Sequence, residues 1–334
     1  MIKSRNVLLF FVLALLAAFL FLLDLSVGSS LISLREVWAA LIGGECSEMV
    51  AKIVINIRLV KAIVALLAGI ALSVSGLQMQ TLFRNPLADP YALGISAGAS
   101  LGVALFILGV PLLGMTGLFA SFGVVGAAWT GAAVVFFLVS VVGRRIKNIM
   151  VILILGMMFS SGVSAIVQIL QYLSREEALK NFVVWTMGAL GDVTMTQLWM
   201  LVFAVIAGIF LAILAIKPLN LLLLGEEYAY TMGLDLQRSR SMLFLSTTLL
   251  AGTVTAFCGP IGFIGLAVPH VARVLFANAD HRILMPGVML LGASIMLLCD
   301  LISKLLALPI NAITALFGIP IVIWIVLRNK SLAV

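Results

Sequence analysis

Long apolar stretches alternate with short polar segments along most of the chain. Eight of these stretches are long enough to cross a bilayer, and each is bounded by charges, glycine or proline. They fall at residues 7–25, 58–80, 92–110, 116–141, 149–172, 194–216, 285–303 and 310–327. The pattern predicts an all-α polytopic membrane protein with one transmembrane domain over residues 1–334.

A ninth apolar region, residues 241–277, is too long for one ordinary span. Gly259-Pro260 interrupts it near the middle, and a proline lacks the backbone N–H that a helix interior needs. We interpret the region as two short spans. The chain then has about ten transmembrane helices.

Composition supports a membrane protein and gives it an orientation. Hydrophobic residues make up 63% of the 334 residues and charged residues only 10%. With the N-terminus inside, the inner segments carry 13 bases and 5 acids, and the outer segments carry 7 bases and 8 acids. Because cytoplasmic loops are enriched in Lys and Arg, we expect both termini in the cytoplasm and the protein in the cell (inner) membrane. The bases form no stripe with interleaved aromatics, so the net charge of +7 does not indicate nucleic-acid binding.

Several kinds of chemistry have no signature in the sequence. The phosphate-binding pattern G-x-x-x-x-G-K-[ST] is absent, so the chain is not expected to hydrolyse ATP by itself. The three cysteines and two histidines are scattered, which predicts neither a metal site nor a cofactor. The spans also lack the series of Asp, Glu and His that proton relays use.

The stretch RNPLADPYALGISAGAS, residues 84–100, interrupts the apolar pattern between the second and third spans. Pro86 and Pro90 restrict the residues before them to extended backbone, so the helix must end there. Asp89 is then free to cap the next helix, and the small residues that follow allow close helix packing. From these properties alone, an ordinary tight loop followed by a packing helix is also an adequate interpretation.

The same stretch closely resembles the signature of the FecCD family, the permease subunits of ABC importers for iron chelates, haem and cobalamin. Further segments similar to that family follow in family order, at 182–199, 219–240, 259–275, 280–294 and 308–328. The residues of these motifs to which we assign a structural role are Arg84, Asn85, Pro86, Asp89, Pro90, Gly259, Pro260, Pro269 and His270.

The resemblance implies a type II ABC importer permease fold with ten spans. It also implies a homodimer, two cytoplasmic ABC ATPase subunits and a periplasmic or extracellular substrate-binding protein. Such a permease translocates a metal chelate, with ferric siderophore, haem or cobalamin as the expected substrates. A stand-alone secondary transporter or channel is the alternative.

The segment 217–240 follows Lys217-Pro218 and is too short and too charged for a span. Its two glycines suggest two short helices lying across the inner face, and the family's ATPase-coupling helices match this segment. An interfacial amphipathic loop without a partner would show a similar pattern. The residues predicted to couple to the ATPase are Leu224, Gly225, Glu226, Glu227, Ala229, Met232 and Gly233.

Three bases on the expected outer face match family positions that dock the binding protein: Arg58, Lys61 and Lys304. The family's usual R-L-P-R is RLVK here, and Lys offers a point charge where Arg offers a bidentate fork. Basic side chains at span ends also reach for the interface without any partner, which is the other interpretation of these positions.

The fifth span is the richest in small and polar residues, and family resemblance places it beside the translocation path. Its polar positions share much of one helical face and carry no charge, which suits passage of a bulky chelate. A helix-packing stripe would explain the same pattern. The residues predicted to line the path are Met157, Ser160, Ser161, Ser164 and Gln168.

Overall fold

The structure is a computed structural model that describes residues 4–28, 32–44, 46–110, 118–143, 146 and 148–328. Over these residues the chain forms fourteen α-helices and no strand. The helices are α1 Ser4–Ser26, α2 Leu34–Ile42, α3 Glu48–Leu82, α4 Ile95–Gly109, α5 Leu118–Gly143, α6 Ile149–Leu173, α7 Glu176–Thr186, α8 Met195–Leu214, α9 Ile216–Leu222, α10 Glu226–Thr231, α11 Leu236–Cys258, α12 Ile264–Phe276, α13 His281–Leu306 and α14 Ile310–Arg328.

Seven of the described helices are long and apolar enough to cross a membrane: α1, α3, α5, α6, α8, α11 and α13. Three more, α4, α12 and α14, are shorter apolar helices. These ten helices correspond to the ten predicted spans, although the first two residues of the fourth predicted span, 116–117, lie outside the described residues.

The region 241–277 divides at Gly259-Pro260, as the sequence predicts, but into unequal parts. The first part is all of α11 except its first five residues, since this full-length helix begins at Leu236, and only the second part, α12, is short. Gly259 adopts a φ of 75°, a left-handed conformation that glycine reaches without steric cost. The chain can therefore leave α11 and turn back into α12 within five residues.

Helix α3 is the centre of the bundle. From Val60 to Leu82 it is surrounded by other helices, and it packs most extensively on α13 and α12, with α8 and α11 on other sides. The side chain of Gln78 is bonded within the core, since its Nε2 donates to Ser246 Oγ (3.0 Å) and its Oε1 accepts from Thr247 Oγ1 (3.2 Å). A buried amide in this apolar central helix is thus tolerated because it has hydrogen-bond partners.

Glycine allows α3 to approach its neighbours at two levels. A side-chain carbon added at Gly76 would overlap the backbone of Gly265 on α12, and one at Gly69 would overlap the backbone of Gly292 on α13. In a bilayer the hydrophobic effect drives helix association only weakly, so close backbone packing of small residues takes its place.

Candidate functional site

Residues 216–233 form the two short helices predicted for the segment 217–240, and we name them the coupling segment after that prediction. The remainder of the predicted segment, from Leu236, is instead the start of α11. Helices α9 and α10 are separated by Gly225, whose φ of 110° turns the chain, and α10 ends before Gly233, whose φ is 84°. Ala229 is a buried residue of α10, while Leu224 and Met232 are 62% and 59% exposed. The segment therefore presents large apolar side chains to its surroundings from a fixed backbone.

The two glutamates at the start of α10 have different environments. Glu226 accepts two hydrogen bonds from Arg240 Nη2, at 2.6 and 2.8 Å, whereas Glu227 is exposed. Arg240 lies in the first turns of α11 and is almost completely buried. This ion pair ties the coupling segment to a membrane-length helix.

Asn220 makes a second tie between the coupling segment and the bundle. Its Nδ2 donates to Asp280 (2.7 Å), and its Oδ1 accepts from the backbone N–H (2.9 Å) and Nδ1 (2.7 Å) of His281. The other ring nitrogen of His281 lies 3.0 Å from Thr81 Oγ1 on α3. Asp280 also accepts from the backbone N–H of Arg282, and this hydrogen bond lowers the pKa of its carboxyl. The start of α13 thus links α9 to the end of the central helix.

The signature loop, residues 84–94, makes the turn that the sequence predicts. Asp89 accepts a hydrogen bond from the backbone N–H of Tyr91 (2.8 Å) and caps a single 3-10 turn, Pro90–Leu93, before α4 begins. Removal from water raises the pKa of the Asp89 carboxyl to about 6, while the hydrogen bond from Tyr91 opposes that rise. Arg84 is exposed with a φ of 48°, and Asn85 accepts from the backbone N–H of Leu87 (2.9 Å).

The signature loop packs against α12 and the Gly259-Pro260 break. His270 Nε2 donates to the carbonyl of Pro86 (2.6 Å), which gives this histidine a structural role. The hydroxyl of Tyr91 accepts from the backbone N–H of Ile261 (3.4 Å), and Pro90 packs on Gly265. Pro269 is buried inside α12. The two irregular segments predicted from the sequence are therefore one structural unit.

The three predicted docking bases lie together where the first half of α3 meets the ends of α1 and α13. Lys304 Nζ is 2.7 Å from Asp24 and 2.8 Å from Asp300, and Lys61 Nζ is 3.1 Å from Asp300. Arg58, in a π-helical turn of α3, donates to the carbonyls of Leu25 (3.0 Å) and Ser26 (2.7 Å). We name these five ionisable residues the charged cluster. The charged cluster joins α1, α3 and α13. Its two carboxylates partly neutralise its three bases.

The predicted path residues divide into two groups. Ser160, Ser164 and Gln168 line an open cavity of about 480 Å³, together with Ser96 and Ser100 of α4. Met157 and Ser161 do not line it; both are exposed elsewhere on α6. We name this cavity the polar trough. Pro260 also lines it, so the trough extends to the break between α11 and α12.

Several residues that are functional candidates in the structure were not identified from the sequence or were not assigned a role. Asp24 lies at the end of an apolar span, and its nearness to a family-matched base is visible only in the fold. Ser96 and Ser100 belong to a small-residue series interpreted as packing. Asn220 and Arg240 lie in the segment 217–240, where nothing in the sequence distinguishes them from the other polar residues. Among the described residues, no three His, Cys, Asp or Glu side chains come close enough to hold a metal ion.

The described helices form a bundle of the kind expected of a polytopic membrane protein. The model of the FecCD transport family matches residues 15–328, and the chain belongs to that family.

The chain is similar to transport permeases of known name. It is 35% identical to the hemin transport system permease protein HmuU of Yersinia pestis, over 92% of this chain and 91% of that protein. It is 38% identical to the vitamin B12 import system permease protein BtuC of Klebsiella pneumoniae, over 83% of this chain and 82% of that protein.

Solved structures share the fold. A metal-chelate type ABC transporter in an inward-facing conformation superposes with a TM-score of 0.78 at 28% identity, covering 96% of this chain and 98% of that one. PsaBC from Streptococcus pneumoniae, in complex with a Fab, has a TM-score of 0.56 at 18% identity and covers 78% and 88% of the two chains. The all-α fold predicted from the sequence, that of an ABC importer permease, is confirmed.

Proposed function

We propose that this chain is the permease subunit of an ATP-driven importer that moves a metal chelate into the cytoplasm. Two copies would form the path, two ABC ATPase subunits would bind the coupling segments, and a periplasmic or extracellular binding protein would deliver the substrate. ATP hydrolysis belongs to the partner subunits in this scheme. The single observation that carries the proposal is the coupling segment, which is anchored to the bundle and exposes the large apolar side chains of Leu224 and Met232.

The coupling role requires the segment to transmit movement of the ATPase to the helical bundle. A segment that transmits motion must be stiff, and α9 and α10 are held by Asn220 on one side and Glu226 on the other. Exposed Leu224 and Met232 are apolar contacts for a partner. A partnerless interfacial loop would not require this anchoring.

The polar trough supports the path assignment. Serine hydroxyls and glutamine amides from α4 and α6 line it, and none of the described residues that line it is charged. Such a surface allows transient hydrogen bonds without a strong site in which the substrate would be trapped. We place Ser160, Ser164 and Gln168 on the path, and Ser161 and Met157 on its margin.

The substrate is inferred from the relatives, whose names specify hemin and vitamin B12. Both are large chelates of one metal ion, and ferric siderophores share that chemistry. Arg58, Lys61 and Lys304 are the bases that we assign to docking of the binding protein. We place both termini in the cytoplasm, as the distribution of basic residues predicts.

One uptake panel tests the proposal. The permease would be reconstituted in liposomes with the ATPase and binding protein encoded beside it, and given labelled ferric siderophore, haem or cobalamin. Uptake of one substrate that requires all three components and ATP is the expected result. Uptake without the ATPase would instead indicate a secondary transporter or channel.

A further inference from the structure

Helix α2 exposes an apolar stripe although it lies outside every predicted span. Leu34, Trp38 and Ile42 are 55%, 59% and 65% exposed. Because they are spaced four residues apart, they share one face of the helix. The other apolar face, with Val37 and Ala40, is buried in a small core formed with side chains of α1 and α3. Clustered apolar side chains on a protein surface indicate contact with something other than water.

The orientation of the stripe is fixed. The Ser33 hydroxyl accepts a hydrogen bond from the backbone N–H of Glu36 (3.3 Å), and the Glu36 carboxylate accepts from the backbone N–H of Ser33 (3.1 Å). This capping box begins α2, and Gly43, with a φ of 73°, ends it. A short helix capped at both ends and packed on α1 and α3 holds its exposed side chains in one direction.

The contacts of α2 with α3 give its depth in the membrane. Helix α3 has 35 residues and is about 52 Å long, at about 1.5 Å per residue. The hydrocarbon core is only about 30 Å thick, so about 20 to 24 residues of α3 cross it. Counted from Leu82, at the end nearer the coupling segment, the crossing ends between about Arg58 and Ala62. Helix α2 packs on Val54–Leu59, just beyond that boundary and at the level of the lipid headgroups.

The helix beside α2 faces lipid. Among the seven long helices described, α1 is the least buried. In the half of α1 nearer α2, Leu15, Phe19 and Leu22 are exposed along one face. Such a face on a span contacts acyl chains. Because α2 packs on α1, the stripe lies next to a surface that the bilayer already covers.

The residue types of α2 suit a bilayer surface. Tryptophan is enriched at the level of the headgroups, where the ring is partly apolar and its N–H remains near water. Arg35 is exposed at the edge of the stripe, about 20° around the helix from Ile42. In the described part of the chain it forms no ion pair. A guanidinium in this position can bind a lipid phosphate through two hydrogen bonds.

We propose that α2 is an interfacial anchor in the leaflet opposite the coupling segment. Leu34, Trp38 and Ile42 insert between the lipids, and Arg35 binds their phosphates. Since α2 joins α1 to α3, the anchor fixes the depth of both helices in the bilayer. The inference goes beyond the proposed function and holds whichever substrate is carried. The depth of α2 and its lipid-facing neighbour favour the bilayer over a protein as the occupant of this surface.

The test is fluorescence quenching of the full permease–ATPase complex in nanodiscs of phosphatidylethanolamine and phosphatidylglycerol. The difference in emission between the wild type and Trp38→Phe is the contribution of Trp38. Because Trp38 is largely exposed, this replacement leaves the core intact. The Trp38 contribution should lose most of its intensity when the nanodiscs contain phosphatidylcholine with a nitroxide on its headgroup. Acrylamide in the water should quench it weakly.

Two further variants locate the anchor within the Trp38→Phe protein. Ile42→Trp places an indole on the same stripe and should restore quenching by the lipid nitroxide. Met49→Trp is the control, since Met49 is 72% exposed and equally apolar. It lies about nine residues, or roughly 14 Å, beyond Arg58 along α3, so its indole should be quenched by acrylamide and not by the nitroxide.

Quenching of Trp38 by acrylamide but not by the lipid nitroxide would overturn the inference. Protection of Trp38 from both quenchers would also overturn it and would indicate a second copy of the chain on this surface. Protection that arises only after the substrate-binding protein is added would assign the stripe to that partner instead. Equal quenching of Ile42→Trp and Met49→Trp by the nitroxide would show that α2 has no special position at the membrane.

Discussion

Glu226 in the coupling segment and Arg240 in α11 form a bidentate ion pair, with both carboxylate oxygens within 2.8 Å of one guanidinium nitrogen. The pair joins a surface segment to a helix that crosses the bundle. Glu227, the next residue, makes no such contact in the described part of the chain and is exposed. Substitution of Glu226 therefore tests the ion pair, and the same substitution at Glu227 is its control.

Glu226→Gln should lower the free energy of unfolding by about 1–3 kcal/mol, because a buried guanidinium loses its charged partner. Glu227→Gln should change it by less than about 0.5 kcal/mol, as exposed positions do. Thermal unfolding in detergent measures both. Equal destabilisation by the two variants would show that the ion pair contributes nothing specific, and partial recovery in the swap Glu226→Arg with Arg240→Glu would support it.

Asn220→Ala should weaken the link between α9 and α13. The change removes one of the hydrogen bonds to the Asp280 carboxylate and leaves two donors of His281 without their acceptor, so we expect a loss of about 2–3 kcal/mol. ATP-driven uptake should fall more than ATP hydrolysis does, because the segment loses an anchor to the bundle.

Asn148→Ala is the matched control for this loss, since Asn148 is exposed and caps α6 through one hydrogen bond. A cap of that kind contributes about 1 kcal/mol. If both variants destabilise the protein equally and transport normally, the link through Asn220 has no special role.

Gly76→Ala should destabilise the bundle by about 1–3 kcal/mol, because the new methyl group overlaps the backbone of Gly265. Gly162→Ala on α6 has open space around the added carbon, and it should be neutral or slightly stabilising. Comparing the two unfolding temperatures separates close packing from helix propensity. Tolerance of Ala at Gly76 would mean that α3 and α12 are less closely packed than the structure shows.

Asp89→Asn should alter the dependence of stability on pH. With a pKa of about 6 when folded and an ordinary value near 4 when unfolded, Asp89 binds more protons in the folded protein between these values. Its contribution therefore falls as pH rises from about 4 to 6. Asn still accepts from the Tyr91 N–H, so the variant should be more stable than the wild type at pH 7, by about 1–2 kcal/mol for a half-buried carboxyl.

Unfolding measured from pH 4 to pH 8 tests this expectation. The difference between the variant and the wild type should grow across the window between the two pKa values and then level off. A constant difference at all pH values would show that Asp89 titrates normally in the folded protein.

Ser164→Trp should block uptake while the complex still assembles, because the indole fills the polar trough. Ser161→Trp adds the same side chain at a position of α6 that does not line the trough, so uptake should fall less. The readout is substrate uptake normalised to complex recovered from the membrane. Equal loss in both variants would indicate that the path extends over the whole face of α6, as the sequence alone predicts.

Features that depend on neighbours along the chain could be predicted from the sequence. The number of apolar helices, the break at Gly259-Pro260, the cap at Asp89 and the turn at Gly225 all follow from hydropathy and backbone restrictions within a few residues. The resemblance of this segment to the coupling helices of a known family also predicts where a surface element lies, and the structure has two short helices at that position.

Which side chains meet across the bundle was decided only by the tertiary structure. Lys304 and Asp24 are 280 positions apart, and their contact exists because α1 packs on α13. Three bases that look free in the sequence are held by two carboxylates and by backbone carbonyls, and a helix interpreted as packing contributes Ser96 and Ser100 to the polar trough. Hydrophobic runs and caps are local properties of the chain, whereas ion pairs and cavities depend on helix packing, which no single stretch of sequence specifies.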